Sequence, residues 1–110
     1  MKRILMILSL AVICLSSCSS DGQIEATNQA NANKVIGALY KYKQSHNSFP
    51  NDLKVLVPNY ISEIPVTTGG QEFIYKTNAS DGFFLYFDVR EHFGCGYTDR
   101  FKQWECSSGD

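Results

Sequence analysis

The feature that most constrains this chain is an apolar stretch near its start that ends a few residues before a cysteine. Lys2 and Arg3 form a positive segment, and residues 4–15 that follow are mostly apolar. A positive segment followed by roughly 7–15 apolar residues is the layout of an export signal. The stretch is too short for a membrane-spanning helix, which needs about 20 residues, and it lacks the polar face of a surface helix. The sequence therefore predicts a signal peptide over residues 1–17.

The sequence LSSC at residues 15–18 follows this apolar stretch. It resembles the lipobox of bacterial lipoproteins, in which an aliphatic residue and two small residues precede the cysteine that is acylated. The resemblance implies that Cys18 becomes the N-terminus and carries several acyl chains, which hold a protein on a membrane more firmly than one chain. The next residue is Ser19 rather than Asp, which resembles the enterobacterial signal for the outer membrane; the inner membrane stays an alternative. Ordinary secretory cleavage near Ser20 would instead discard Cys18.

Four cysteines fit this scheme. Cys14 leaves with the signal peptide and Cys18 takes lipid, so Cys95 and Cys106 remain as an even pair in an exported domain. Outside the cytoplasm such a pair is expected to form a disulfide, which would stabilise a small domain by roughly 3 kcal/mol in the chain-entropy model. The alternative is a metal site that adds His92 to the pair, but this spacing matches no established zinc pattern and offers only three ligands.

Length and charge narrow the class of protein further. A chain of 110 residues with 44% hydrophobic residues has room for one domain with a modest core. The net charge is −1, and about −3 without Lys2 and Arg3, so the sequence predicts no nucleic-acid partner. The chain also lacks a phosphate loop, a zinc motif and internal repeats, and no cofactor is predicted.

The region after Cys18 divides into a predicted tether and a predicted domain. Residues 18–25 are short and polar, which indicates a flexible lipidated tether that keeps the head close to the membrane. A globular domain follows over residues 26–110 and begins with a helix over 26–45. The first half of this helix is rich in Asn and Gln, so we expect it to extend into solvent. Its apolar stripe comprises Ala32, Val35, Ile36 and Leu39.

Proline and turn residues punctuate the rest of the chain. Pro50 tolerates only the beginning of a helix, and Asn51 or Asp52 can cap a short turn that ends before Pro58. The segments 71–77 and 82–89 are rich in aromatic and β-branched residues and flank the turn sequence NASD, which predicts an antiparallel hairpin.

Alternation in the second strand of this hairpin predicts which face packs on the helix. A further strand is predicted over residues 100–106, tied back by Cys95. The predicted inward residues are Phe83, Leu85, Phe87 and Val89.

Residues 36–65, IGALYKYKQSHNSFPNDLKVLVPNYISEIP, resemble the head domains of type IV pilins and of the major pseudopilin of type II secretion systems. The resemblance covers roughly residues 34–89. It implies an α+β fold in which a long N-terminal amphipathic helix packs on a small antiparallel sheet, and partners among pilin or secretion-system proteins. The matching residues are Ala38, Leu39, Tyr42, Lys43, Phe49, Pro50, Leu53, Leu56, Pro58, Tyr60, Ile61, Ile64 and Pro65.

The sequence departs from the family in two respects. Pilins begin the mature chain with a long hydrophobic helix, whereas the region after Cys18 is polar, so a lipid is expected to replace the filament stem. Pseudopilins also hold calcium in the final loop, and the acids here could supply oxygen ligands. Scattered surface acids explain them equally well, and no metal is predicted. The acids are Asp88, Asp99, Glu105 and Asp110.

Catalysis finds little support in the sequence. His46 and His92 lack a nucleophile in a suitable context, and the neighbouring acids Asp88 and Glu91 fit a solvated loop. We therefore expect a non-enzymatic, membrane-anchored binding or accessory lipoprotein of a type II secretion or type IV pilus system. Two alternatives stay open. One is an envelope ligand-binding or inhibitor lipoprotein with an unrelated partner, and the other is an envelope hydrolase that uses His92 or Glu91.

Overall fold

One long helix, α1, runs over Ser20–His46 in the computed structural model of the protein, which describes residues 20–78 and 82–108. The prediction of a flexible tether followed by a helix from position 26 is wrong in this respect, because residues 20–25 form the first turns of α1. These turns contact the sheet, and tertiary packing rather than intrinsic propensity decides most helices in proteins. Within the described residues, no helix is apolar over a long enough stretch to cross a membrane.

The apolar face of α1 packs on the sheet as predicted. Ala32, Val35 and Leu39 are completely buried. The expectation that the polar first half extends into solvent is wrong, because Asn28 is also completely buried and its Oδ1 accepts a hydrogen bond of 2.9 Å from the backbone N–H of Thr68. The polar side chain of Asn28 therefore ties α1 to the loop at Thr68.

A single 3-10 turn over Leu53–Leu56 follows the helix. Asp52 caps it, since its Oδ1 accepts a hydrogen bond of 2.9 Å from the backbone N–H of Lys54. Leu53 and Leu56 are buried. Of the two predicted caps, Asn51 and Asp52, the structure therefore selects Asp52.

Four strands follow in the described residues: β1 (Ile74–Asn78), β2 (Gly82–Arg90), β3 (Phe93–Thr98) and β4 (Trp104–Ser108). They form one antiparallel sheet in the order β1-β2-β3-β4, so the α+β prediction is confirmed at this level.

Two strands differ from the sequence-based expectation. The strand β3 was not predicted, because its FGCGYT sequence contains two glycines, a residue that weakens strand propensity. The last strand begins four residues later than predicted, because Thr98 and Lys102 close a turn there, with a backbone hydrogen bond of 2.8 Å.

Aromatic rings fill the core between α1 and β2. The inward orientation predicted for β2 is confirmed for Phe83, Leu85 and Phe87, which are buried. The fourth predicted residue, Val89, is only partly buried and packs against the same cluster. Phe83 lies at the centre, with its ring centroid 4.9 Å from that of Phe49 and 5.7 Å from that of Tyr40. Edge-to-face pairs at these separations contribute beyond simple area burial.

Because Phe83 is fully buried among other rings, Phe83→Ala is expected to lower the free energy of unfolding by about 3–5 kcal/mol. Urea denaturation followed by circular dichroism measures this loss. Phe101→Ala is the matched control, because Phe101 is 60% exposed and surface truncations usually stay within about 0.5 kcal/mol. Equal losses in the two variants would contradict the assignment of Phe83 to the core.

Candidate functional site

The predicted lipidation residue, Cys18, lies outside the described residues. Helix α1 begins at Ser20, two positions later. In sequence, the beginning of α1 is therefore two residues from the candidate anchor.

The other two cysteines lie opposite each other on β3 and β4. The structure joins Cys95 to Cys106 by a disulfide with an S–S distance of 2.05 Å, and the two residues are partners in the strand register. Cys95 is completely buried, whereas Cys106 is half-buried. The bridge thus ties two neighbouring strands together on the face that α1 covers.

Two side chains from the beginning of α1 approach this disulfide. The Oε2 atom of Glu25 lies 3.6 Å from the sulfur of Cys95, and the amide Nε2 of Gln29 donates to the sulfur of Cys106 at 3.5 Å. Residues four apart share one face of a helix, so both side chains reach the same corner of the sheet. This cluster was not predicted from the sequence; the i, i+4 spacing of Glu25 and Gln29 is the one local signal for it.

His92 does not join the cysteines, so the predicted metal alternative is wrong in its ligand set. Within the described part of the chain, the carboxylate of Glu25 and the sulfurs of Cys95 and Cys106 lie within 4.8 Å of one another. Glu25 rather than His92 is therefore the third potential ligand beside the disulfide. His92 lies in the turn between β2 and β3, with its Nε2 atom 3.6 Å from an Oε2 atom of Glu91.

The geometry gives the hydrolase alternative little support. The Glu91 and His92 side chains are 88% and 73% exposed, whereas catalytic acids and bases are usually found partly desolvated in clefts. His46 stacks on Tyr42 with a centroid distance of 3.9 Å, and its Nδ1 atom lies 3.1 Å from the carbonyl oxygen of Tyr42. His46 therefore packs at the end of α1.

The acids considered for calcium do not converge on one point. Among the described residues, Asp88, Asp99 and Glu105 form no group of neighbouring ligand atoms, and Asp110 lies outside the described residues. Asp88 accepts a hydrogen bond of 2.9 Å from the hydroxyl of Tyr86. Each described acid thus has its own surroundings, and the structure gives no calcium geometry for them.

Asp99 instead ties the turn before β4 to α1. The hydroxyl of Tyr40 donates to it at 2.9 Å, and the ammonium of Lys102 donates to it at 2.8 Å. Burial alone would raise the pKa of Asp99, but these two hydrogen bonds and the charges of Lys102 and Lys43 outweigh it and hold the pKa below its ordinary value. Burial, with hydrogen bonds to Tyr97 and Asp99, raises the pKa of Tyr40.

The outer face of the sheet carries a flat aromatic pair. Phe84 and Tyr86 stack with a centroid distance of 5.9 Å and an interplanar angle of 23°. Their rings lie over Gly96 and Gly94 of β3, where any side chain would collide with them. We name the face formed by Phe84, Tyr86 and the 44% exposed Ile74 the outer aromatic face. In the sequence this face corresponds to two alternating patterns: F-x-Y at residues 84–86 of β2 and G-x-G at residues 94–96 of β3.

The described head thus offers two candidate sites. The first is the corner of Glu25, Gln29 and the disulfide, and the second is the outer aromatic face. Comparison of the chain with protein-family models, curated proteins and solved structures found no match. The geometry of these two sites and the LSSC sequence at residues 15–18 are therefore the basis for proposing a function.

The outer aromatic face requires glycine more strictly at position 94 than at position 96. A Cβ atom at Gly94 would lie 2.7 Å from the backbone carbonyl oxygen of Phe87, whereas one at Gly96 would lie 2.9 Å from the movable ring of Phe84. We expect Gly94→Ala to cost about 1–3 kcal/mol, as overpacking usually does, and Gly96→Ala to cost less. Thermal and urea denaturation measure both.

Gly37→Ala is the control for these glycine substitutions. A Cβ atom there meets nothing within 4 Å, and replacing glycine by alanine in a helix usually stabilises by about 0.5–1 kcal/mol. A loss for Gly94→Ala no larger than that for Gly96→Ala would contradict the rigid contact with Phe87.

The lowered pKa of Asp99 makes stability depend on pH. Because the folded pKa is below the unfolded value of 3.8, this contribution is present above about pH 4 and is lost as pH falls through the folded pKa. Asp99→Asn is expected to cost about 1.5–3 kcal/mol at pH 7 and less at pH 3. Urea denaturation at the two pH values measures the difference, with the exposed Glu63 changed to Gln as control. A pH-independent cost for Asp99→Asn would refute this role.

Proposed function

We propose that this chain is a lipoprotein of the bacterial cell envelope whose head acts by binding another protein, as a non-enzymatic accessory component of a type II secretion or type IV pilus system. The observation that carries the proposal is the LSSC sequence at residues 15–18, which follows an apolar export stretch and stands two residues before α1. A thiol at this position accepts the lipid, and the small residues before it let a signal peptidase seat the backbone.

The helix supports a close and stiff attachment of the head. With a rise of 1.5 Å per residue, the 27 residues of α1 extend for about 40 Å from the anchor. Glu25 and the disulfide then lie near the membrane, and His46 lies at the far end. A lipid anchor only two residues before a packed helix would restrict the orientations of the head, which suits a protein that docks on a neighbour.

The choice of partner rests on the resemblance to pilin and pseudopilin heads. The order of elements is compatible with it: a long helix, an Asp52-capped turn, and an antiparallel meander closed by a disulfide. Pilin-like subunits are anchored in or assembled at the same membranes, so a lipidated head could dock on them. Ser19 favours the outer membrane as the place of attachment, and the inner membrane is the other possibility.

An envelope ligand-binding or inhibitor lipoprotein is the second candidate function. The outer aromatic face favours it, because Phe84 and Tyr86 present a flat apolar surface on a rigid sheet. This role shares the anchor but not the partner. Chemical cross-linking in cells that express pilin-like proteins separates the two, since only the first candidate yields cross-links to pilin or secretion subunits, and only the first loses secretion or piliation on deletion.

Mass spectrometry of the protein purified from membranes tests the anchor. The mature chain is expected to begin at Cys18 and to carry the mass of a diacylglyceryl group, because the thiol is the acceptor. Cys18→Ser should leave an unprocessed chain without lipid, while Cys14→Ser, four positions earlier, should be processed normally. A mature chain that begins after Cys18, or an unmodified Cys18, would refute the proposal.

A further inference from the structure

The corner where α1 passes over β3 and β4 brings together three potential metal ligands. The Oε2 atom of Glu25 lies 3.6 Å from the sulfur of Cys95, and all three ligand atoms, including the sulfur of Cys106, lie within 4.8 Å of one another. Two of the three come from neighbouring strands and the third from the helix, so packing holds all of them in place.

One of the three edges of a zinc tetrahedron is already present at this corner. With Zn–S near 2.3 Å and Zn–O near 2.0 Å, a tetrahedral angle gives an S–O distance of about 3.5 Å and an S–S distance of about 3.8 Å. The observed 3.6 Å from Glu25 to Cys95 already fits the first value. The S–S distance of 2.05 Å has to widen, and breaking the disulfide allows this.

The groups around the two sulfurs suit a metal ion that binds thiolates. The amide Nε2 of Gln29 donates to the sulfur of Cys106 at 3.5 Å, and a hydrogen bond of this kind stabilises a thiolate and orients it. Cys95 is completely buried, whereas Glu25 and Cys106 are half-buried. One side of the corner is therefore open to solvent, from which water can supply a fourth ligand.

We propose that Glu25, Cys95 and Cys106 form a zinc site when the disulfide is reduced. A dithiol reductant gives two electrons to the Cys95–Cys106 bond and is itself oxidised to a disulfide, which leaves two thiols on the protein. Both thiols release their protons to water as Zn²⁺ binds, because the thiolate is the ligand. In the reverse step a second disulfide accepts two electrons and two protons and becomes a dithiol, while the sulfurs of Cys95 and Cys106 join again and the ion is released. Zinc binding and disulfide formation therefore exclude each other at this corner.

Cobalt titration of the reduced chain tests the proposal. The full chain carries Cys14→Ser and Cys18→Ser, so that Cys95 and Cys106 are its only thiols. It is reduced with dithiothreitol in detergent micelles, and the reductant is then removed by desalting under nitrogen. One equivalent of Co²⁺ is expected to produce a thiolate-to-cobalt charge-transfer band and tetrahedral d–d bands. Zn²⁺ should abolish these bands at one equivalent, and the oxidised chain should show none.

Glu25→Gln identifies the carboxylate ligand. It is expected to weaken Zn²⁺ binding by at least about 10-fold, because loss of even an outer-shell partner typically costs 10–100-fold. Glu91→Gln is the matched control and should bind as tightly as the parent, since Glu91 lies outside the group. Equal affinities in the two variants would overturn the role of Glu25.

Far-ultraviolet circular dichroism covers the case in which reduction unfolds the head. Recovery of the native spectrum on addition of Zn²⁺ would support the site, because binding energy then drives folding. A reduced chain that neither shows the charge-transfer band nor regains structure with Zn²⁺ would overturn the proposal.

Discussion

The packing of α1 on the inner face of β2 is the interaction on which the rest of the structure depends. Val35 and Leu39 on the helix and Phe83 and Phe87 on the strand belong to one cluster of buried side chains. Burial of large apolar side chains contributes roughly 1.5–3 kcal/mol each, and a domain of this size has little other core. The turn, the loop and the outer strands are arranged around this one contact.

Polar contacts extend the same interface to the beginning of α1. Asn28 binds the backbone of Thr68, and Asn33 accepts a hydrogen bond of 3.1 Å from the indole of Trp104 on β4. The Oδ1 atom of Asn28 is satisfied in this way, whereas its Nδ2 atom is buried without a partner among the described residues, and an unpaired buried donor is costly. The two bonds tie the polar half of the helix to the loop at Thr68 and to β4. They explain why a segment without an apolar stripe is nevertheless packed on the sheet.

The sequence predicted the parts of the fold that follow local periodicity. The apolar stripe of α1, the inward residues of β2 and a cap at Asn51 or Asp52 depend on spacing within one element, and the structure has these features, with Asp52 as the cap. The first turns of α1 and the strand β3 depend on contacts between distant segments, which no local pattern encodes. The GxG sequence of β3 is a poor strand by propensity, and it pairs with β2 because Phe84 and Tyr86 lie over Gly96 and Gly94.

The same distinction applies to the corner beside the disulfide. Composition and compartment argue for pairing of Cys95 with Cys106, but the approach of Glu25 follows from the crossing of α1 over β3, about 70 residues away in sequence. This crossing lies only five residues after the start of the helix, or about 8 Å along its axis. Glu25 and Gln29 contact the disulfide, so the corner holds this part of α1 on the sheet. A chemical change at the two sulfurs therefore acts on the part of the helix that is nearest in sequence to the proposed anchor.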